Sequence, residues 1–307
     1  MTRGSDCDND DDYEIGVRRP DMEFIFLGTS AGEQYPGAWC RCENCEKARR
    51  LGGRNIRKNS CAWLAPDTLL DFPYEVFMQS ERFGVPVIDA KHLLFTHSHE
   101  DHFNPYMLAW RYMPAKVTLP PTKMVGAPRF SEIDLLKVYG NKQVCAGVNK
   151  YCGKRLKECN MEVHEIEPYR RHDLGQKMQV TPVLGNHPDQ DGKAFNYIIE
   201  REGRTILYAL DTGWFLPETL AEIEKHRFDL AVIEGTFGYG AESEGHMNFR
   251  KLLLAYQLFV ERRLLKPGGR FVASHICPHW TPIHDEIAPE MAERGITIAY
   301  DGMKVEL

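Results

Sequence analysis

The sequence predicts an α/β fold in which two β-sheets pack face to face, with helices on their outer sides. Three observations carry that expectation. Short apolar, strand-like runs recur along the chain, and each half reads as a series of strands followed by helices. The residues best suited to chemistry also sit where strand-like runs end. No internal repeat can be asserted from the sequence, and residues 22–307 are read as one domain.

In chain order, Met22–Leu27 reads as a buried strand and Gly28–Gly37 as a loop. A cysteine-rich and then basic segment follows to Asn59. Further strands are expected at Cys61–Leu64, Thr68–Asp71, Lys91–Thr96, Glu162–Ile166 and Met178–Leu184. The series continues with Phe195–Glu200, Thr205–Leu210, Leu230–Glu234 and Phe271–Ser274. Helical periodicity falls at Glu75–Phe83, Pro217–His226, Phe249–Leu265 and Pro282–Arg294, the last with a proline in its first turn. Val117–Asn160 carries no clear pattern.

Composition narrows the function classes. The chain has 307 residues, 43% hydrophobic and 27% charged, as in an ordinary soluble globular protein. A net charge of −6 gives no general attraction to nucleic acid or an anionic membrane. The local exception is a basic run from Lys47 to Lys58, which reads first as a solvated face and keeps an RNA-processing role only as a minor alternative. No apolar stretch approaches the roughly 20 residues of a membrane span. Residues 1–21 are acidic and poor in apolar groups, so they read as a flexible tail and not as a secretory signal. Nine cysteines without an export signal point to reduced thiols and the cytoplasm. A homo-oligomer is compatible with all of this.

The chemistry is written in His97-Ser98-His99-Glu100-Asp101-His102, directly after the apolar run His92–Thr96. Alternation sends His97, His99 and Asp101 to one side, while His102 can reach a second point. Imidazoles and a carboxylate suit zinc, manganese or iron. Four ligands within six residues are too many for one open catalytic ion, so two ions are expected. His187, Asp211 and His275 each follow a strand-like run, where converging strands could gather them around the same ions. A lone histidine is more often structural, and their shared placement is what raises these three.

The spacing His-x-His-x-Asp-His, followed by His, Asp and His at strand ends, resembles the metallo-β-lactamase superfamily of αββα-sandwich hydrolases. Within it, Phe26–Ser30, Cys40–Cys45, Gly245–Asn248 and Tyr300–Met303 resemble the phosphoribosyl cyclic phosphate phosphodiesterases of phosphonate breakdown. The resemblance implies that His97, His99 and His187 hold one metal and that Asp101, His102 and His275 hold the other, with Asp211 bridging. It also implies that Asp71 hydrogen-bonds the ligand loop. A glutamate at position 99 would suggest the di-iron redox members, and many true β-lactamases lack the histidine after the aspartate. His99 and His102 therefore favour hydrolysis.

Cys40, Cys42 and Cys45 have the C-x-C-x-x-C spacing of a zinc knuckle that lacks a fourth ligand. The phosphodiesterases supply a histidine in an H-x-x-H motif. This chain is one residue longer, reading His275-Ile276-Cys277-Pro278-His279, so His279 is taken as the ligand with Cys277 as its rival. Cys7, Cys61, Cys145, Cys152 and Cys159 are expected to be inert. The last three recur every seven residues, on one face if that segment is helical.

The reading is a cytoplasmic phosphodiesterase of a small phosphate ester, cyclic ones included, using two zinc or manganese ions and one structural zinc. A metal-bridging hydroxide, oriented by Asp101 and Asp211, would attack phosphorus. His246 would protonate the leaving group or bind phosphate beside the N-terminus of the following helix. Two alternatives are a carboxylic ester, lactone or thioester hydrolase, and a cofactor-pathway protein resembling pyrroloquinoline quinone accessory protein B.

Overall fold

The computed structural model describes residues 22–111, 133–190 and 192–307. The acidic tail and part of the unassigned central region lie outside them. The first sheet contains β1 (Glu23–Gly28), β2 (Cys61–Leu64), β3 (Thr68–Leu70), β4 (His92–Leu94), β5 (Leu136–Gly140) and β6 (Met161–Glu165). The second contains β7 (His172–Gly175), β8 (Met178–Asp189), β9 (Gly192–Arg201), β10 (Arg204–Ala209), β11 (Phe228–Glu234), β12 (Leu265–Ser274) and β13 (Thr297–Ile298). The last strand, β14 (Lys304–Glu306), returns to the first sheet beside β1.

The two sheets share one pairing pattern. The first runs β14-β1-β2-β3-β4-β5-β6, with three antiparallel junctions and then three parallel ones. The second runs β7-β8-β9-β10-β11-β12-β13 with the same order of antiparallel and parallel junctions. Parallel neighbours need crossovers, and helices supply them. In the first half these are α2 (Val76–Phe83), α3 (Pro105–Leu108) and α4 (Lys142–Cys152). In the second they are α5 (Pro217–Ile223), α6 (Phe249–Glu261) and α7 (His284–Glu293). The extra helix α1 (Glu43–Leu51) follows the cysteines.

Alternation along the strands builds three apolar layers. Phe24, Leu64 and Leu94 of the first sheet meet Val180, Tyr197, Ile206 and Val232 of the second between the sheets. Trp63, Leu93 and Val138 face Val76, Val144 and Val148 outside the first sheet. Leu207, Ile233 and Ala273 face Leu252, Phe259 and Ile287 outside the second. The expected αββα sandwich is therefore the observed one.

Several boundaries differ from the sequence reading. β8 continues to Asp189 and carries His187 within it, beside a register shift between Leu184 and Pro188. The helix expected over Phe249–Leu265 stops at Glu261, because Leu265 pairs with Phe228 and opens β12. The last helix begins at His284, two residues after Pro282, and α5 ends at Ile223. The unassigned region holds β5 and α4, and α4 buries Cys145 and Cys152; Cys159 lies beyond it, also buried.

The basic run is largely engaged within the molecule. Arg57 is buried and donates to Thr29 Oγ1 and the Ala299 carbonyl, while Arg49 donates to the carbonyls of Gly37 and Cys40. Lys47 pairs with Glu43 and Glu286, and Arg54 lies over the Tyr300 ring. Phe26–Ser30 and Tyr300–Met303 form one unit: Gly302 N donates to the Phe26 carbonyl and Thr29 Oγ1 to Asp301 Oδ1. Every cysteine among the described residues is a free thiol, and no helix there is long and apolar enough to cross a membrane.

Candidate metal centre

Of the sequence-predicted ligands, the His97–His102 loop, Asp211 and His275 follow the parallel-paired strands β4, β10 and β12, while His187 comes from within β8, which pairs antiparallel on both sides. Asp71 follows β3 with a positive φ of 63°, a conformation that aspartate tolerates better than bulky residues. Its Oδ1 accepts from the Thr96 amide at 2.8 Å and the Thr96 hydroxyl at 2.9 Å, which anchors the start of the His97–His102 loop. Asp189 anchors the same loop from β8. It accepts from the Ser98 amide and hydroxyl through one oxygen and from Asn141 Nδ2 at 2.6 Å through the other.

The hydrogen bonds around the histidines assign where their protons lie. His102 Nδ1 donates to Asp71 Oδ2 at 2.8 Å. His275 Nδ1 donates to Thr236 Oγ1 at 2.8 Å, and that hydroxyl in turn donates to Glu234. His97 Nδ1 donates to Thr96 Oγ1 at 3.0 Å, and His187 Nδ1 to the Gly245 carbonyl at 3.1 Å. In a neutral ring each inner nitrogen is then a lone pair. The inner nitrogens crowd together: His97 Nε2 lies 3.0 Å and His187 Nε2 3.2 Å from His99 Nδ1, and His102 Nε2 lies 3.1 Å from His275 Nε2.

Asp211 lies between these groups. Its Oδ2 is 2.8 Å from His102 Nε2 and 3.0 Å from His275 Nε2, yet it is buried and receives no hydrogen bond. Its Oδ1 is 3.9 Å from His187 Nε2. Converging lone pairs around an unsatisfied carboxylate oxygen are the donor set of a cation site. The groups His97–His99–His187, Asp101–His102–His275 and His97–His102–Asp211 each bring their ligand atoms within 4.8 Å of one another. The first two match the expected pair of ion sites, and Asp211 reaches toward both.

Electrostatics agree with that chemistry. Burial lowers both His97 and His187, which keeps them neutral. Burial would raise Asp211, but His275, His102 and His97 hold it well below the usual carboxylate range. Burial would also raise Asp101, which His102 and His275 keep low. Burial would lower His102, but Asp211, Asp101 and Asp71 outweigh it and raise it well above its ordinary value. Positive charge is thus favoured at the centre of the cluster.

His246 sits at the rim, its ring 4.6 Å from that of His187 and 6.1 Å from that of His275. Its Nδ1 lies 3.2 Å from both oxygens of Glu234, a fully buried carboxylate that also accepts from the amides of Thr212 and Met247. Burial would lower His246, but Glu234, then Asp211 and Asp101, raise it to about 9. The sequence reading puts a phosphate beside the start of α6. Asn248 Oδ1 caps that helix by accepting from Lys251 N, and Phe249 N donates to the Gly238 carbonyl. Sequence reasoning missed Glu234, Thr96, Thr236 and Asp189. Of these only Glu234 left a trace, as a charge closing the apolar run Leu230–Ile233.

The second cluster is only partly exposed, with Cys45 buried. Cys40, Cys42 and Cys45 bring their sulfurs together at the start of α1. His279 Nδ1 lies 3.7 Å from Cys40 Sγ, while its Nε2 lies 2.5 Å from Glu33 Oε2. Cys277 Sγ instead donates to Glu33 at 3.5 Å. Burial pushes Cys277 up to about 12 and its thiol is engaged with Glu33, whereas His279 presents a ring nitrogen to Cys40. The arrangement turns His279 toward the thiols, with Glu33 holding its far nitrogen.

Comparison with known proteins fits this geometry. Coenzyme PQQ synthesis protein B of Cupriavidus necator is 25% identical over 314 residues, covering 92% of this chain and 98% of that protein. Its namesake from Methylococcus capsulatus is 24% identical, with the same coverage of both chains. Among solved structures, Zn(2+)-bound PqqB from Methylobacterium extorquens superposes with a TM-score of 0.68 at 18% identity, covering 93% of this chain and all of that one. A diphosphatase from the PhnP family gives the same TM-score and identity, covering 93% of this chain and 97% of that one. The family model described as the beta-lactamase superfamily domain matches residues 63–267. That match covers more than half of the chain, which therefore belongs to the beta-lactamase superfamily and carries its metallo-β-lactamase fold.

Proposed function

We propose that this chain is a dinuclear metal-dependent phosphodiesterase acting on a small phosphate ester, cyclic esters included. One observation carries the reading: a complete ligand set, with Asp211 reaching toward two groups of inward lone pairs, lies beside a histidine seated on a buried carboxylate. His97, His99 and His187 would hold one ion, and Asp101, His102 and His275 the other, with Asp211 between them. Such a pair supplies Lewis-acid polarisation of the phosphoryl oxygens and a hydroxide at neutral pH.

The chain's own residues do the rest. Asp101 and Asp211, both kept ionised, would hold the ions and offer acceptor oxygens that orient an attacking water. Glu234 holds His246 in its protonated form through Nδ1, which leaves Nε2 for the departing oxygen. Cys40, Cys42, Cys45 and His279 would hold a structural zinc. A cofactor-pathway role is a second reading, favoured by coenzyme PQQ synthesis protein B matching 92% of the chain.

The test combines elemental analysis with a substrate panel. Three metals per chain and turnover of phosphodiesters above carboxylic esters, lactones and thioesters are expected. Fewer than two metals under metal-replete conditions would remove the dinuclear mechanism. Faster turnover of the acyl substrates would replace the phosphodiester assignment, and a metal-loaded chain inert toward the whole panel would favour the cofactor-pathway role.

A further inference from the structure

A row of aromatic rings leads outward from the metal centre, and core packing does not account for it. Phe237 follows Thr236, the residue whose hydroxyl meets His275. Its ring centroid lies 5.3 Å from that of His246 and 4.8 Å from that of Trp280. Trp280 is 43% exposed. The order is therefore metal ligands, His246, Phe237, Trp280, from the reacting centre to solvent.

The row is fixed in place by backbone and not by a hydrophobic seat. Tyr239 N donates to the Trp280 carbonyl at 2.9 Å, and Phe237 N to the Met247 carbonyl at 3.0 Å. Asn248 Nδ2 donates to the Gly240 carbonyl at 3.0 Å. These bonds fold the loop between β11 and α6, which carries Phe237 and His246, onto itself and tie it to the loop carrying His279 and Trp280. Gly240 shows how tightly Trp280 is held, since a Cβ at that position would lie 2.7 Å from Trp280 Cγ. The indole is pinned against glycine on one side and remains accessible elsewhere.

A large, pre-ordered ring left partly in water beside a reactive centre is suited to stacking on another flat ring. Aromatic side chains bind nucleobases and similar rings in this way, with little demand for a particular hydrogen-bond pattern. We propose that Phe237 and Trp280 form a ring-binding subsite of the metal centre, selecting phosphate esters that carry a planar aromatic or heteroaromatic group such as a nucleobase. The proposal rests on the phosphodiesterase reading for its reacting end and on the aromatic row for its recognition end.

The experiment compares two cyclic phosphodiesters, adenosine 2′,3′-cyclic phosphate and ring-free glycerol 1,2-cyclic phosphate, on the metal-loaded full chain and on Trp280→Ala and Phe237→Leu. The rise in KM should be about tenfold larger for the nucleoside ester than for the glycerol ester. Equal changes for the two esters, or none for either, overturn the subsite. Calorimetric titration with adenosine 5′-monophosphate against ribose 5-phosphate separates this result from failure of the catalytic reading. Preferential binding of the nucleotide that is lost in Trp280→Ala supports the subsite even in a chain that hydrolyses neither ester. Equal affinity for the two monophosphates overturns it. Elemental analysis of each variant checks that the metal centre is intact, and Trp280→Ala decides alone if Phe237→Leu loses metal.

Discussion

The two halves of the molecule are built alike and use the same position for opposite purposes. β3 and β10 are equivalent, each being the strand at which antiparallel pairing gives way to parallel pairing. Each is followed by a buried aspartate with a positive φ: 63° at Asp71, and 48° at Asp211, one residue further along. Asp71 meets N–H and O–H groups from Thr96 and His102 and is fully engaged as an acceptor. Asp211 Oδ2 meets imidazole nitrogens whose protons lie on their far sides and receives no hydrogen bond. A buried carboxylate at a strand end thus becomes a loop anchor when its neighbours present hydrogens, and keeps an oxygen free for a cation when they present lone pairs.

The largest expected effect comes from removing that distinction. Asp211→Asn replaces a carboxylate oxygen with an amide and leaves two groups of lone pairs without their shared negative partner. Loss of bound active-site metal and a fall in turnover beyond about 10⁴-fold are expected, since dinuclear sites supply several kcal/mol to the transition state. Elemental analysis and kcat/KM measure both. A variant retaining two ions and near-normal turnover would remove Asp211 from the bridging role.

The halves diverge again one strand further on. Where β4 leads into the ligand loop, β11 ends in Glu234, which holds His246. His246→Ala should keep both active-site ions and lower kcat by about 10²–10⁴, as expected for a general acid. The loss should be much smaller for an aryl ester, whose leaving group departs without a proton. Equal losses on aryl and alkyl esters would instead assign His246 to phosphate binding.

A smaller effect is expected at the other aspartate. Asp71→Asn keeps the shape of the anchor but can orient its amide to satisfy only part of the Thr96 and His102 network. Partners of this kind change metal affinity or activity by about 10–100-fold. If Asp71→Asn matched Asp211→Asn in severity, the division between anchor and ligand would fail.

How much of this was legible follows from how local each signal is. His97–His102 are contiguous, so their chemistry stands out without knowledge of the fold. His187, Asp211 and His275 are far apart, but each interrupts or follows an apolar run. Thr96, Thr236 and Asp189 matter only through hydrogen bonds to residues brought near by folding, and a threonine beside a strand carries no mark of that role. The shared pairing order of the two sheets was invisible for the same reason, because local sequence does not name a strand's neighbour. The overrun of α6 into Leu265 has a similar cause: the apolar Leu264–Leu265 continues the helical pattern, while pairing with Phe228 draws Leu265 into β12.

The smallest catalytic effect is expected where the halves differ most in chain length. In the second half, β8 turns directly into β9. In the first, residues 29–60 intervene between β1 and β2 and carry Cys40, Cys42 and Cys45. This insertion reaches across to His279 of the second half, so a zinc there would join the two halves outside the reacting centre. Metal binding of this kind contributes to folding stability, since the unfolded chain does not hold the four ligands together. Cys42→Ala should therefore lose one zinc per chain and lower Tm, while the two active-site ions remain and kcat changes by less than about threefold, as for a site that does not touch the reaction. Thermal unfolding, elemental analysis and kinetics on the same preparation check all three points. Loss of activity with Tm and the third zinc unchanged would mean that the insertion serves the reaction itself, and the contrast between a catalytic half-to-half junction and a structural one would have to be abandoned.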